Sequence, residues 1–271
     1  ALCRSPASSS RMVMRPLYAA LFLLSLAIIG FQIAIMQILS FLQWHHFAGQ
    51  VISAALLGFG CSGTLLAIAR PWFLQHVKQL LPLLLLLSAI GMASALPLVQ
   101  AWFGQFDAQL LAVDRGQIWL LLATQAALFL PLLCGAMAIG LIFISQPQRI
   151  GSLYFANLIG SAGGGITLLG LMWWLPSWYL PAVCATFTLI GTIPLKPWRE
   201  ARWLAWLMLA TAGVILVLAV ASPAPVPSPY KAVSHALALP EARERDRQYS
   251  PFGLLQQVTA PSLRYAPELS L

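Results

Sequence analysis

Few side chains in this 271-residue sequence are able to do chemistry, and most of those are neutral. Tyr154, Asn157 and Ser161 recur at i, i+3 and i+7, a spacing that sets residues on nearly one helix face. Interleaved with them, Ala156, Gly160 and Gly164 form a small-xxx-small ladder. Small residues let helix backbones approach, and a polar group there can hydrogen-bond across the contact for about 0.6–2 kcal/mol. Two readings fit: a tight packing seam with Asn157 satisfied internally, or a groove for a substrate or cofactor. Packing is the commoner use of the pattern. Ala54, Gly58 and Ser62 form a second stripe, and Gly60, Gly63 and Ala67 a third on the same segment, as suits a helix buried between neighbours. Gln32, Gln37 and Gln125 complete the polar set. Gln32 and Gln37 stand about 140° apart at about 100° per residue, so they cannot line one face. Buried amides need partners, so each is expected to point at another helix.

Other chemistries find little support. The cysteines Cys3, Cys61, Cys134 and Cys184 lie far apart, without CxxC or zinc spacing, and read as small buried hydrophobes. His45 and His46 abut Trp44 at the end of the first apolar run and read as interfacial residues, because no apolar run contains a histidine to face them across a haem. No HExxH, GxSxG or carboxylate pair lies in the apolar runs, which speaks against hydrolysis within a membrane. The expectation is no enzyme, no catalytic residue, no metal and no cofactor.

These residues must be positioned by helices in lipid. The chain is 60% hydrophobic and 8% charged, against about 25% charged in a soluble domain. Seven runs are long enough to cross a bilayer: Leu17–Gln43, Phe47–Ala69, Gln79–Phe103, Gln117–Ser145, Gly151–Leu175, Ser177–Leu195 and Trp203–Ala221. None holds Asp, Glu, Lys, Arg or His. The sixth is short and carries Pro181 and Pro194, and Pro131 is expected to kink the fourth. The fold class is therefore an all-α integral membrane bundle of about seven helices (17–221), with an N-terminal flank (1–16), a Pro-rich linker (222–229) and the start of a soluble domain (230–271).

With the N-terminus inside, nine Lys and Arg residues fall on inner segments and Arg115 alone on the outer loops. The positive-inside rule then puts the tail outside. Trp44, Trp102, Trp119, Trp173, Trp174 and Trp178 mark outer ends, and Trp72, Trp198 and Trp203 inner ones. Phe103, Phe106 and Leu110 suggest a short helix lying flat on the membrane. In the tail, Ser228 and Pro229 cap a short helix up to Leu239, Glu241–Arg247 reads as solvated, Ser250–Gly253 as a turn and Leu254–Val258 as a strand. The net charge of +8 is topogenic and lipid-facing, without the basic stripe that nucleic acid requires.

Several stretches resemble one family. QWHHFAGQVISAALLGFGCSGTLLA (Gln43–Ala67) resembles the second span of the membrane-bound spermidine-synthase-like proteins. GSLYFANLIGSAGGG (Gly151–Gly165) is similar to their glycine-rich span, in which a Tyr precedes Asn or Asp and then several glycines. SPYKAVSHAL (Ser228–Leu237) and SPFGLLQQV (Ser250–Val258) resemble the start of the aminopropyltransferase-type domain fused to it. That resemblance implies a bacterial inner-membrane protein, and the Lys and Arg count sets its N-terminus in the cytoplasm. The acidic pair and the Gly-rich turn of the fused domain are not found after Val258, so no catalytic residue carries over. The expected role is an anchor or scaffold whose partners are the bilayer and other membrane subunits, not nucleic acid. The alternative is a facilitator for a small polar or amine solute, through a cavity lined by Gln32, Gln125 and Asn157.

Overall fold

The computed structural model describes residues 6–42, 48–103, 106, 110, 113–221, 224, 225, 227 and 231–262, the side chains of 6–14 and 103 excepted. Its helices are α1 (Pro6–Leu42), α2 (Gly49–Ile68), α3 (Arg70–Gln75), α4 (Val77–Phe103), α5 (Arg115–Ser145), α6 (Ile150–Leu171), α7 (Leu180–Thr192), α8 (Pro197–Glu200), α9 (Arg202–Ala221) and α10 (Ala232–Leu237). The strands β1 (Arg243–Ser250) and β2 (Gly253–Thr259) follow. Seven segments are long and apolar enough to cross a membrane: Arg15–Leu42, Gly49–Ile68, Val77–Trp102, Arg115–Ser145, Pro147–Leu171, Ser177–Leu195 and Arg202–Ala221. They coincide with the seven uncharged runs to within a few residues.

α1 and α4 are the best buried of these. α1 lies against α6 and α7, and α4 between α5 and α7. α2 packs on α5, and α9 on α4 and α7. The core is built of aliphatic side chains with Phe31 and Met92 among the fully buried ones. Polar atoms are absorbed locally. Thr64, Thr124, Thr186, Thr188, Thr192 and Thr211 each donate to the carbonyl one turn earlier.

The glycines set the closest approaches. α1 and α6 run parallel, and a Cβ on Gly160 or Gly164 would fall on the carbonyl oxygen of Phe22 or Leu26. Gly58 brings α2 onto α5, where a Cβ would lie 3.2 Å from the Leu133 backbone nitrogen. On the α4 side, Gly91 accepts the Pro131 ring, and Ser88 Oγ donates to the Pro131 carbonyl at 2.9 Å. α5 continues helically through Pro131.

Several expectations need correction. The fifth span ends as helix at Leu171, not Leu175, because Pro176 disfavours helical backbone at the residue before it, and Trp173 to Leu175 wind into turns. α7 is only 13 residues long, extended by 3₁₀ turns at Ser177–Tyr179 and Ile193–Leu195. Pro181 sits in its first turn, where the missing N–H costs nothing. Phe106 is buried in the core and Leu110 is exposed, while residues 104, 105 and 107–109 of the stretch expected to lie flat are outside the described residues. Trp178 is buried as well. The third stripe, Gly60, Gly63 and Ala67, is exposed, with Gly63 at the edge of a cavity and no described helix packed on it, so α2 has one covered face instead of two. Glu241–Arg247 is largely exposed, as expected, but it is not without structure: β1 begins at Arg243 and pairs antiparallel with β2, with a register shift between Glu244 and Asp246. Cys3, Trp44, His45, His46, Ser228 and Pro229 lie outside the described residues.

Gly164→Ala and Gly165→Ala separate contact from propensity. Both gain about 1 kcal/mol of intrinsic helix preference, but only the Cβ at 164 meets a backbone oxygen. Reversible denaturant titration in mild detergent should show Gly165→Ala neutral or slightly stabilised. Gly164→Ala should lose about 1–3 kcal/mol.

Candidate functional site

Two polar constellations stand out from the apolar bundle. The first crosses the α1–α6 contact. Tyr18 Oη and Ser152 Oγ are 2.6 Å apart. Farther along, Ser25 Oγ lies 2.7 Å from the Leu21 carbonyl and 2.7 Å from Asn157 Oδ1. A hydroxyl has one proton, so it donates to one of these oxygens; donation to Leu21 leaves Oγ free to accept from the Asn157 amide once that amide is turned. In either arrangement one end of the amide is bonded to Ser25, and the other has no partner among the described residues.

The predicted face is therefore real as a juxtaposition. Tyr154, Asn157 and Ser161 line one cavity of about 300 Å³ with Ser25 of α1, Ser62 of α2 and Ile139 of α5. Ser62 donates back to the Phe59 carbonyl at 2.8 Å. Gly160, Gly164 and the partly buried Ala156 form the adjoining seam on α1. Gly58 serves the corresponding α2–α5 seam. Sequence spacing could find this face of α6 but not Ser25, because a helical serine ordinarily bonds its own backbone.

Gln32 and Gln125 do not join this cavity. Gln125 keeps a buried Oε1 without a hydrogen-bond partner among the described residues. A shared polar path through Gln32, Gln125 and Asn157 is thus not formed at this cavity. GFGCSG (Gly58–Gly63) has the G-x-G-x-x-G spacing of a dinucleotide fingerprint, yet it lies inside the continuous helix α2. A phosphate cradle needs a strand-to-helix turn there, so the string has no such meaning. Among the described residues, no group of three or more His, Cys, Asp or Glu side chains could hold a metal.

The second constellation joins the tail to the bundle. Gln37, in the last turns of α1, accepts from Ser177 Oγ at 2.5 Å and donates through Nε2 to the Ser250 carbonyl at 2.7 Å. Trp178 meets Tyr249 of β1 edge-to-face at 5.4 Å. Lys231 donates to the Ser40 carbonyl and lies 5.9 Å from the Phe41 ring centre. Burial there lowers the Lys231 ammonium below its ordinary pKa. A cavity of about 480 Å³ separates these contacts, lined among others by Met36, Phe41, Met172 and Phe252. On the hairpin's outer surface, Arg247 pairs with Glu244 at 2.6 Å, and that hydrogen bond lowers the Glu244 pKa.

An isolated two-stranded hairpin is marginal in water, so the amides of β1 and β2 are protected only while the seat holds. Gln37→Ala deprives the Ser250 carbonyl and Ser177 hydroxyl of their partner, a loss of about 1–3 kcal/mol. Hydrogen exchange read by mass spectrometry should then speed up by roughly tenfold or more over 249–259, with the α4 and α5 core unchanged. Compared with family models, with curated proteins and with solved structures, the chain finds no match.

Proposed function

We propose that this chain is a multi-pass membrane anchor, similar to the membrane region of spermidine-synthase-like proteins, that performs no catalysis itself. It holds a soluble segment, or partner membrane subunits, at the bilayer surface. The observation that carries this reading is the seat of the tail. Gln37 ties the α6–α7 loop at Ser177 and the hairpin at Ser250 to the same turn of α1. Whatever follows β2 leaves the bundle from a held position rather than from a loose linker.

The bilayer accounts for the outer surface. Ile68, Ile166 and Val220 are more than three-quarters exposed, which a water-facing helix would not tolerate in such numbers. Dissolved in hydrocarbon, they need no cover. The ends bearing Arg15, Arg70, Lys78, Arg149 and Arg202 face the cytoplasm, and the tail lies in the periplasm of a bacterial inner membrane. The open face of α2 at Gly60, Leu56 and Thr64 suits a close-packing membrane subunit.

In a cysteine-free background, a membrane-impermeant maleimide applied to intact spheroplasts should label Gln257→Cys and spare Arg149→Cys. The reverse pattern refutes the orientation. Anchoring is tested on the protein extracted from its native membrane after mild crosslinking. A mass well above 29.4 kDa, from a continuing domain or a crosslinked subunit, is expected. A lone species at that mass, or saturable amine uptake into proteoliposomes, would sink the anchor reading.

A further inference from the structure

The cavity behind Tyr154, Asn157 and Ser161 has a chemistry that helix packing leaves unused. Tyr154 Oη, Ser161 Oγ and one end of the Asn157 amide have no hydrogen-bond partner among the described residues. Three such groups within one apolar cavity are costly, because hydrocarbon cannot bond them. No Asp, Glu, Lys, Arg or His lines the cavity. Phe59 and Tyr154, both about half exposed, stand at its edge, so it opens sideways on the apolar belt.

Depth narrows the occupant. At about 1.5 Å per residue, Asn157 lies about 10 Å along α6 from Ile150, and Ser62 about 9 Å along α2 from Ile68. A charged headgroup has no partner at that depth, and carrying it there is expensive. Water entering from the side would have to cross lipid. An uncharged head with carbonyl or hydroxyl oxygens can meet all three groups while its chain stays among the exposed apolar residues.

We infer that this cavity is a lateral binding site for a neutral amphiphile, with a head of glycerol-ester or quinone size hydrogen-bonded to Tyr154, Asn157 and Ser161. Access does not depend on the tail, and the site is independent of the anchoring role. Gly63 lines the cavity, and a Cβ there meets nothing within 4 Å, so Gly63→Leu directs a side chain into the space. Gly60 is equally open but lies outside this cavity, so Gly60→Leu is the matched control.

The full chain in phosphatidylcholine nanodiscs would be photolabelled with two diazirine-tailed probes, a diacylglycerol and a benzoquinone. Saturable labelling of α2 and α6 peptides by one of them, competed by its unlabelled form, is expected and identifies the head. Phosphatidylglycerol of the same chains should not compete. Gly63→Leu should weaken labelling about tenfold and Gly60→Leu should not. The shape-preserving pair Tyr154→Phe and Ser161→Ala should weaken it about three- to tenfold without altering the fold. Failure of both neutral probes to saturate, equal competition by phosphatidylglycerol, or full labelling of Gly63→Leu would overturn the inference.

Discussion

Gly160 and Gly164 let the backbone of α6 rest on the carbonyls of Phe22 and Leu26, and that approach decides what else α1 can touch. With α6 held close along one side, α1 meets α7 on another, where Gly191 approaches Leu23, while Ile28 reaches Gly135 of α5. A larger residue at 160 or 164 would move α6 outward and separate Ser25 from Asn157. The polar contact is therefore secondary to the steric one. It fixes rotation and register along a seam whose closeness the glycines supply. In lipid this order is expected, because apolar burial gives no preference for helix over hydrocarbon, and dispersion at short range takes its place.

The same helix carries the tail. Leu42 ends α1 only a turn and a half beyond Gln37, so the polar seat stands on one of the two best-buried helices of the bundle. Two chemistries meet there. Trp178 against Tyr249 provides apolar area, and the bonds of Gln37 to Ser177 and Ser250 specify the register of the turn. The lowered pKa of Lys231 follows from its place between Phe41 and the Ser40 carbonyl, where burial acts on the ammonium and no carboxylate among the described residues offsets it.

The helices were legible because a run of about 20 uncharged residues has few other fates. The face of α6 was legible because period and residue size agree over three turns. Its partner was not: Ser25 is one serine in an apolar run, and only the fold, which sets Asn157 beside it, distinguishes it from Thr64 or Thr211, which share its bond to the preceding turn and make no hydrogen bond to a second helix among the described residues. Its sequence context marks Gln37 as a buried amide seeking a helix, yet its partners are a loop 140 residues away and a strand 213 residues away. Small size told where α2 can be approached, and Gly58 is approached, but size alone does not say that Gly60 and Gly63 are. β1 escaped because RERDRQYS lacks apolar alternation. Its strand character comes from pairing with GLLQQVT, from the Arg247–Glu244 pair on its surface and from Tyr249 at its docked end.

The sixth span shows how a weak sequence signal becomes a sound element. Its 13 residues of α-helix rise about 20 Å, too little for a hydrocarbon core about 30 Å thick. Each end continues as three residues of 3₁₀ helix, which climbs about 2 Å per residue instead of 1.5. The whole segment from Ser177 to Leu195 then reaches about 31 Å. Pro181 sits in the first turn of α7, where a missing donor breaks no bond, and Pro194 sits where α7 passes into the second 3₁₀ turn, so its missing donor falls at the end of the α-helix. The chain leaves that turn through Lys196 in the left-handed region, at φ 53°, which redirects it into α8. Pro–Leu–Lys–Pro, which looks like a helix breaker, thus extends the span to length and then stops it.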